Sequence, residues 1–319
     1  MNGKSEFLRL NEQAISSFSI AYSKKTPTLL TKEQRFKELR VKTGVLIEKY
    51  FFDLCEILNI QLLLECGAHD AATSEKFVGL SENRKAIAFE ANPFVFERFQ
   101  SSIRNDSVRY VNIGLANTLG ELTLNIPAHT PKSWSMQSSF DNNPKFSNFL
   151  QVKVNVDSLD NLVLNEISQN SIAMWIDVEG FGFSVLSGAT KILSAKACKV
   201  IFIEVQDSAL WEQEQNAIEI CSFLSEFGFV PLVRDYPLVD LYNIVFVKED
   251  FLPLAITLTN RFWFDFSRIR PRPFRFKSPI YLLSRIKGVL LKFGGGYFAT
   301  AIHRVSRVAG SRSSRDHLK

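Results

Sequence analysis

The chain has 319 residues, 46% of them hydrophobic and 22% charged, which is enough to bury a full core and leaves room for one large domain with appendages. Its four cysteines form no CxxC pair and its four histidines do not combine with them at ligand spacing, so a disulfide scaffold and a zinc site are excluded. We therefore expect reduced thiols and a cytoplasmic protein, with no run of 18 uncharged apolar residues to span a membrane and no signal peptide among the charged residues 1–20.

The net charge of +5 is divided unevenly along the chain. Residues 261–319 carry 14 Lys and Arg against 2 Asp and Glu, which leaves 24 against 31 for the remainder. An acidic body with a basic tail predicts that the tail meets an anionic surface.

The first 59 residues are predicted to be helical, because apolar positions recur at spacings of three and four within 33–40 and 44–54. We expect residues 1–60 to form a helical cap on the domain that follows or on its substrate cleft.

From residue 61 to 248, short apolar runs alternate with amphipathic stretches, which is typical of a parallel sheet covered on both faces. We predict strands at 61–66, 85–90, 108–113, 172–177 and 199–205, and helices near 71–82, 93–104, 181–194 and 211–227. Two extended runs within 229–247 predict a terminal antiparallel hairpin. The expected fold is α/β, a doubly wound, Rossmann-like, mostly parallel sheet over residues 61–250.

Residues 127–149 interrupt this alternation. They are rich in Ser, Asn and Pro and are too long for a simple connection. This segment can be interpreted either as a lid or substrate loop or as a disordered connection.

A buried strand ending at Glu65-Cys66-Gly67 carries the first candidate binding residues. Gly67 lets the backbone approach a ligand at the carboxyl edge of the sheet, and Glu65 is placed to contact a cationic group of that ligand. A dinucleotide fingerprint needs three glycines, so the single glycine disfavours nicotinamide binding.

The next strand ends at Glu90, whose two carboxylate oxygens suit the vicinal hydroxyls of a ribose. A merely solvated strand-end carboxylate is the alternative. Pro93 then opens the following helix.

The stretch 171–189 is the most distinctive part of the sequence. A strand delivers Asp177 and Glu179 to the same edge of the sheet, and Gly180 turns the chain into a helix. Carboxylates at such an edge need partners, which indicates a functional site. Capping of the following helix by one of them is the structural alternative.

These motifs resemble those of the FkbM-type methyltransferases over residues 62–247. The resemblance covers Glu65-Cys66-Gly67-Ala68-His69, the Phe89-Glu90-Ala91-Asn92-Pro93 segment, Asn112 to Gly114, Ile176-Asp177-Val178-Glu179-Gly180, and Ile203-Glu204-Val205. It implies a class I fold and an S-adenosylmethionine-dependent enzyme that O-methylates a hydroxyl of a sugar, glycan or secondary metabolite. It also implies that the cofactor is bound by Glu65, Gly67, Ala68, His69, Glu90, Ala91, Asn112, Gly114 and Asp177.

The chain departs from the family pattern at three positions, His69, Trp175 and Gly182, where the family usually has Asn, Lys and an acidic residue. Trp175 and Gly182 are expected near the part of the site that meets the acceptor. The departures therefore bear on the identity of the acceptor more than on the fold or the cofactor.

Methyl transfer requires an acceptor oxygen aligned behind the methyl group and a group that removes its proton. We assign the base role to Asp177, with Glu179 and Glu204 as neighbouring carboxylates. Mg²⁺ held by the same acids is an alternative. His129 in the polar segment is a competing base, although a lone loop histidine is more often solvated.

Residues 251–319 are expected to form a basic extension, partly helical or disordered. Within it, 279–293 has the composition of a basic amphipathic helix on an anionic membrane, and packing on the catalytic domain is the alternative. The acidic body disfavours a nucleic-acid partner. Two rival functions are a non-catalytic glycan- or nucleoside-binding protein on the same fold and a nicotinamide-dependent oxidoreductase.

Overall fold

The computed structural model describes residues 3–23, 31–128, 131–132, 135, 137–140, 148–167, 170–207, 215–236 and 241–270. Its helices are α1 (Gly3–Ser23), α2 (Lys32–Ile57), α3 (Ala72–Val78), α4 (Pro93–Phe99), α5 (Leu159–Ile167), α6 (Gly182–Ser187), α7 (Thr190–Ser194), α8 (Ala217–Glu226) and α9 (Leu252–Phe266). Its strands are β1 (Leu62–Cys66), β2 (Lys85–Glu90), β3 (Val108–Asn112), β4 (Gly114–Leu115), β5 (Gly120–Pro127), β6 (Phe149–Asp157), β7 (Ile172–Ile176), β8 (Cys198–Gln206), β9 (Phe229–Arg234) and β10 (Leu241–Lys248).

Seven strands form the main sheet in the order β3-β2-β1-β7-β8-β10-β9. Neighbouring strands are parallel except at β10, which is antiparallel to both β8 and β9. Every residue of β1 is buried, as expected for a strand covered on both faces. The predicted doubly wound, mostly parallel sheet with a terminal antiparallel hairpin is confirmed.

A second, three-stranded sheet in the order β4-β6-β5 was not predicted. Strands β5 and β6 pair antiparallel over their whole lengths, from Gly120 opposite Val156 to Pro127 opposite Phe149. The polar segment 127–149 is therefore the connection between two paired strands. Its two ends are fixed by that pairing.

The N-terminal helices share the core of the main sheet. Phe7 and Leu10 of α1 and Phe51 of α2 belong to the same buried cluster as β1 and β7. Helix α1 packs on α8 and β9, and α2 packs on α9, β8 and β10. The proposed division into 1–60, 61–250 and 251–319 stays a prediction, and residues 271–319 lie outside the described part of the chain.

Local sequence explains where several helices begin and end. Thr31 and Gln34 form a capping box at α2, and Asn216 and Glu219 form one at α8. The predicted helix 181–194 is divided into α6 and α7 at Gly188, where a Cβ would lie 2.3 Å from the backbone oxygen of Ala116. None of the helices in the described ranges has the length and apolar character needed to cross a membrane.

Candidate functional site

The site lies where the strand order of the main sheet reverses, between β1 and β7. The turn after β1 places Gly67 at φ +82°, and the Asp177 N–H donates to the Cys66 oxygen at 2.9 Å. A Cβ on Gly67 would stand 1.9 Å from the backbone oxygen of Asp177. Only glycine allows the two turns to approach so closely.

Glu90 is held at the end of β2 by two backbone donors. The N–H of His69 donates to Oε2 at 2.8 Å and the N–H of Asn92 donates to Oε1 at 2.7 Å. Burial raises the pKa of Glu90 to about 7, against the effect of these two hydrogen bonds. The carboxyl group is therefore fixed in position before any ligand binds.

His69 occupies an unusual backbone conformation beside Glu90. Its φ is +48°, and the Tyr110 hydroxyl donates to its backbone oxygen. Its ring packs against Phe99, and burial lowers its pKa. His69 departs from the family pattern, and it is the backbone of His69, more than its side chain, that holds the turn after β1 through hydrogen bonds with Glu90 and Tyr110.

The described part of the β5–β6 connection covers one side of the site. The Asn92 side-chain amide donates to the Lys132 oxygen and to Ser138 Oγ, at 3.0 and 3.2 Å. The Ser139 hydroxyl donates to the backbone oxygen of Glu179 at 2.6 Å. The connection is thus attached both beside Glu90 and beside the turn after β7 that carries Asp177 and Glu179, called the acidic turn below.

These elements enclose a cleft of about 790 Å³, a volume that includes its opening to solvent. The cleft is lined by residues from both sheets: Gly67, His69, Phe89, Glu90, Ala91, Ile113, Leu115, Leu124, Ser135, Ser138, Ser139, Phe140, Asp177, Val178, Glu179 and Phe181.

Five of the nine residues predicted to bind the cofactor line this cleft: Gly67, His69, Glu90, Ala91 and Asp177. Four do not: Glu65, Ala68, Asn112 and Gly114. Asn112 instead donates its side-chain amide to the Glu90 oxygen, and Gly114 leaves room for the ring of Phe140. The predicted contacts of these four residues with the cofactor stay predictions.

The predicted contact between Glu65 and a cationic group of the ligand stays a prediction, and the structure shows another role for this carboxylate. Glu65 is only 3% exposed, and its Oε2 accepts from the backbone N–H of Ser74 at 2.9 Å and from the Ser74 hydroxyl at 2.5 Å. A carboxylate at this position satisfies the first turn of α3. Glu65 therefore fixes the helix that follows the glycine turn.

Three carboxylates lie close together at one side of the cleft. Oxygen atoms of Asp177, Glu179 and Glu204 all lie within 4.8 Å of one another. The Asp177 side chain is exposed at the cleft, and desolvation by the protein packed around it raises the pKa of its carboxyl group. Glu179 has φ +31°, a conformation that the flanking contacts must hold in place. The three acids that the sequence analysis singled out are thus brought together.

A second pocket adjoins the cleft and shares Val178 and Glu179 with it. Its volume is about 330 Å³ when the opening to solvent is included, and it is lined by Val178, Glu179, Gly180, Gly182, Phe183, Glu204, Gln206, Gln215, Ile220 and Leu241. Gly182 lines this second pocket, and its predicted position near the acceptor stays a prediction. Trp175 does not, because its ring stacks on Phe202 at 3.6 Å between centroids in the core.

Neither carboxylate of the acidic turn caps α6, whose N-cap is Phe181 with no side-chain hydrogen bond, so the capping alternative is wrong. His129, the competing base, lies outside the described residues.

Sequence reasoning missed Ser135, Ser138, Ser139 and Phe140 as lining residues. The serine-rich composition of 127–149 was the available signal.

A doubly wound sheet with a lone glycine turn, a strand-end acid and a cleft at the switch point defines the class I S-adenosylmethionine-dependent methyltransferases. The chain matches the model of the FkbM methyltransferase domain over residues 65–231, more than half of its length, and belongs to that family. It is an S-adenosylmethionine-dependent methyltransferase. The predicted family is confirmed.

Several solved structures are similar to the chain at low sequence identity. One is a putative caffeoyl-CoA O-methyltransferase from Staphylococcus aureus, 10% identical, with a TM-score of 0.34 over 65% of this chain and 83% of that one. Another is magnesium protoporphyrin IX methyltransferase from Synechocystis, 6% identical, with a TM-score of 0.39 over 78% and 98%. Among curated proteins, no sequence matches the chain.

Proposed function

We propose that the enzyme transfers the methyl group of S-adenosylmethionine to a hydroxyl of a sugar, a glycan or a hydroxylated secondary metabolite. The observation that carries this proposal is the position of Asp177 and Glu179. Asp177 lies on the floor of the cleft, and Glu179 lines both the cleft and the second pocket. Acceptor and cofactor would then meet at these carboxylates.

The cofactor is assigned to the larger cleft. Glu90 offers its carboxylate to the ribose hydroxyls, and the turn at Gly67 allows close approach of the ligand to the backbone. The sulfonium would lie toward Asp177, whose negative charge would favour a nearby cation.

The chemical step is an in-line displacement. The acceptor oxygen forms a bond to the methyl carbon while the bond from carbon to sulfur breaks, and the electron pair of that bond stays on sulfur. The hydroxyl proton passes to the Asp177 carboxylate and from there to solvent water. The products are the methyl ether, neutral S-adenosylhomocysteine and one proton.

The composition of the second pocket supports a polyhydroxylated acceptor. Glu179 and Glu204 supply carboxylate acceptors, and Gln206 and Gln215 supply amides. Several hydroxyl groups on one ligand can donate to such a set. Gln206 is buried, and an acceptor with hydroxyl groups can pair with its side-chain amide, whereas an apolar acceptor cannot.

Binding and transfer are tested in sequence. Calorimetry is expected to detect tight S-adenosylhomocysteine binding and no NADH binding. Labelled methyl is then followed onto a panel of sugars and onto glycan and small-molecule extracts of the native host. NADH binding would favour the oxidoreductase, and cofactor or glycan binding without transfer to any hydroxyl would favour the binding protein.

The basic segment 261–319 is assigned to an anionic membrane surface, and the enzyme to the cytoplasmic side of that surface. Its 14 basic residues against 2 acidic ones support this proposal. Full-length protein should float with vesicles that contain anionic lipid, should remain behind with neutral vesicles, and should be released by salt. Equal retention by both vesicle types would contradict the proposal, as would preferential binding to RNA.

A further inference from the structure

The acidic cluster of Asp177, Glu179 and Glu204 has a neighbour, Gln206, that takes no part in the chemical step of methyl transfer. Gln206 follows Glu204 on β8 at the next position with the same orientation, and both residues line the second pocket. Gln206 is 4% exposed, and its Oε1 is buried without a hydrogen-bond donor in the described part of the chain. A buried amide oxygen in that state is destabilising unless a ligand contacts it.

We propose that Asp177, Glu179, Glu204 and Gln206 bind one divalent cation. Carboxylate and amide oxygens are the hard ligands that Mg²⁺ and Ca²⁺ take in proteins. The three acids lie close enough to repel one another when all are ionised, and a dication removes that repulsion. It would also contact the oxygen of Gln206, for which the described residues supply no donor.

The spacing of the oxygens fits such an ion. Ligands on opposite sides of Ca²⁺ are about 4.6 to 5.2 Å apart and those of Mg²⁺ about 4.0 to 4.2 Å apart. The carboxylate oxygens all lie within 4.8 Å of one another. Ca²⁺ is accommodated by this spacing, and Mg²⁺ or Mn²⁺ requires at most a small contraction that side-chain rotation supplies.

The binding site stands on geometry alone, but its role rests on the proposed function. A cation at this place would coordinate the acceptor hydroxyl in the second pocket and lower the pKa of that hydroxyl. Asp177 binds the ion through one oxygen and receives the hydroxyl proton on the other. The cation would therefore both orient the acceptor and assist its deprotonation.

The test measures cation binding directly on the full-length chain after dialysis against chelator. Mn²⁺ is titrated and the free ion is followed by electron paramagnetic resonance, with and without S-adenosylhomocysteine, and Mg²⁺ and Ca²⁺ compete in separate arms. We expect one Mn²⁺ per chain, displaced by at least one of the two competing ions.

Variants identify the ligands. Glu204→Gln should weaken Mn²⁺ binding by at least about tenfold and Gln206→Leu by about threefold to tenfold, whereas Gln206→Glu, which keeps an oxygen ligand, should bind at least as tightly as the wild type. Glu121→Gln is the matched control, because Glu121 is an exposed carboxylate paired with Lys153 on the second sheet. Thermal unfolding of each variant separates loss of ligand from loss of fold.

Two results overturn the proposal: no saturable Mn²⁺ binding, or binding that Glu204→Gln and Gln206→Leu change no more than Glu121→Gln does. Failure here is distinguishable from failure of the proposed function. A chain that methylates hydroxyls without binding Mn²⁺ contradicts only the cation site. A chain that binds Mn²⁺ through Glu204 and Gln206 but methylates no hydroxyl contradicts only the acceptor assignment.

Discussion

The backbones of Gly67 and Asp177 approach each other so closely that only glycine fits at position 67. The backbone oxygen of Asp177 lies 1.9 Å from the place that a Cβ on Gly67 would occupy, and the Asp177 N–H is bonded to the preceding Cys66 oxygen. The turn that shapes the cofactor cleft and the turn that carries the central carboxylate are thus locked together. Their separation depends on the absence of one side chain.

Gly67→Ala is therefore expected to damage both stability and binding. The left-handed φ of +82° and the overlap with Asp177 together should reduce the free energy of unfolding by about 2 to 4 kcal/mol. S-adenosylhomocysteine affinity should also fall, since the cleft must widen to relieve the overlap. Urea denaturation and calorimetry measure the two effects.

Gly228→Ala is the matched control for that substitution. Gly228 has a similar φ of +77°, but a Cβ there would meet nothing within 4 Å. We expect a loss of about 1 kcal/mol from backbone strain and unchanged cofactor affinity. Equal effects of the two substitutions on stability and binding would show that the contact with Asp177 is unimportant.

The buried carboxyl of Glu90 predicts a pH dependence of stability in the cofactor-free protein. Its pKa in the folded state is about 7, above the ordinary value of 4.5, so the folded chain holds a proton that the unfolded chain has lost. Between these two values stability falls as the pH rises, by about 3 kcal/mol in total for this group. Glu90→Gln should remove this contribution, which denaturation at pH 5 and pH 8 measures.

The same substitution should weaken cofactor binding. Loss of a charge-assisted contact to the ribose hydroxyls is worth about 1.5 to 3 kcal/mol, or about 10- to 100-fold in Kd for S-adenosylhomocysteine. Glu97→Gln, which alters an exposed carboxylate on α4, serves as the control. Unchanged affinity in Glu90→Gln above pH 7 would mean that the ribose binds elsewhere.

The main sheet was predictable because its central strands are nearly continuous apolar runs with polar helices between them. The second sheet was missed although its signal was present. In β5, Leu122, Leu124 and Ile126 alternate with polar residues, and the apolar positions of β6 alternate in the same way. The long polar connection between the two strands favoured a loop prediction over this two-residue period.

Site residues could be predicted where a short stretch of sequence places a reactive side chain directly after a predicted strand. Asp177 and Glu179 follow a buried strand directly, and the structure brings Glu204 to them. Glu65 shows the limit of such reasoning, because a strand-end acid can serve the neighbouring helix instead of a ligand. The covering serines were unpredictable, since Ser138 and Ser139 form hydrogen bonds with Asn92 and with the Glu179 backbone, which lie 46 and 40 residues away in the sequence.

Asn92 contacts both the start of α4 and the β5–β6 connection that covers one side of the cleft. Its removal should therefore lower both the stability of the fold and the affinity for the cofactor. Its Oδ1 accepts from the N–H groups of Phe94 and Val95 at the start of α4, while its amide group donates to the β5–β6 connection. Asn92→Ala should cost about 1 kcal/mol of stability through the lost cap. It should also raise the Kd for S-adenosylhomocysteine severalfold.

Asn216→Ala provides the comparison. Asn216 caps α8 through a capping box and does not line the cleft, so a similar loss of stability should leave cofactor affinity unchanged. If both variants lost stability equally and neither changed the affinity, the attachment at Asn92 would have no part in holding the cleft closed.

Asp177→Asn tests the role of the central carboxylate in the reaction. The amide keeps the size of the side chain but cannot accept the hydroxyl proton, so kcat should fall by about 10²- to 10⁴-fold. Affinity for S-adenosylhomocysteine should change by less than about threefold, because catalysis and cofactor binding are separate contributions to the kinetics. Single-turnover methyl transfer and calorimetry measure these quantities.

Two further variants decide whether Asp177 or another group is the base. Asp250→Asn changes an exposed carboxylate paired with Lys196 and should leave kcat at the wild-type value. His129→Ala should do the same if Asp177 removes the proton. A collapse of kcat in His129→Ala, together with a normal rate in Asp177→Asn, would transfer the base role to the histidine and leave Asp177 as a residue that orients the acceptor.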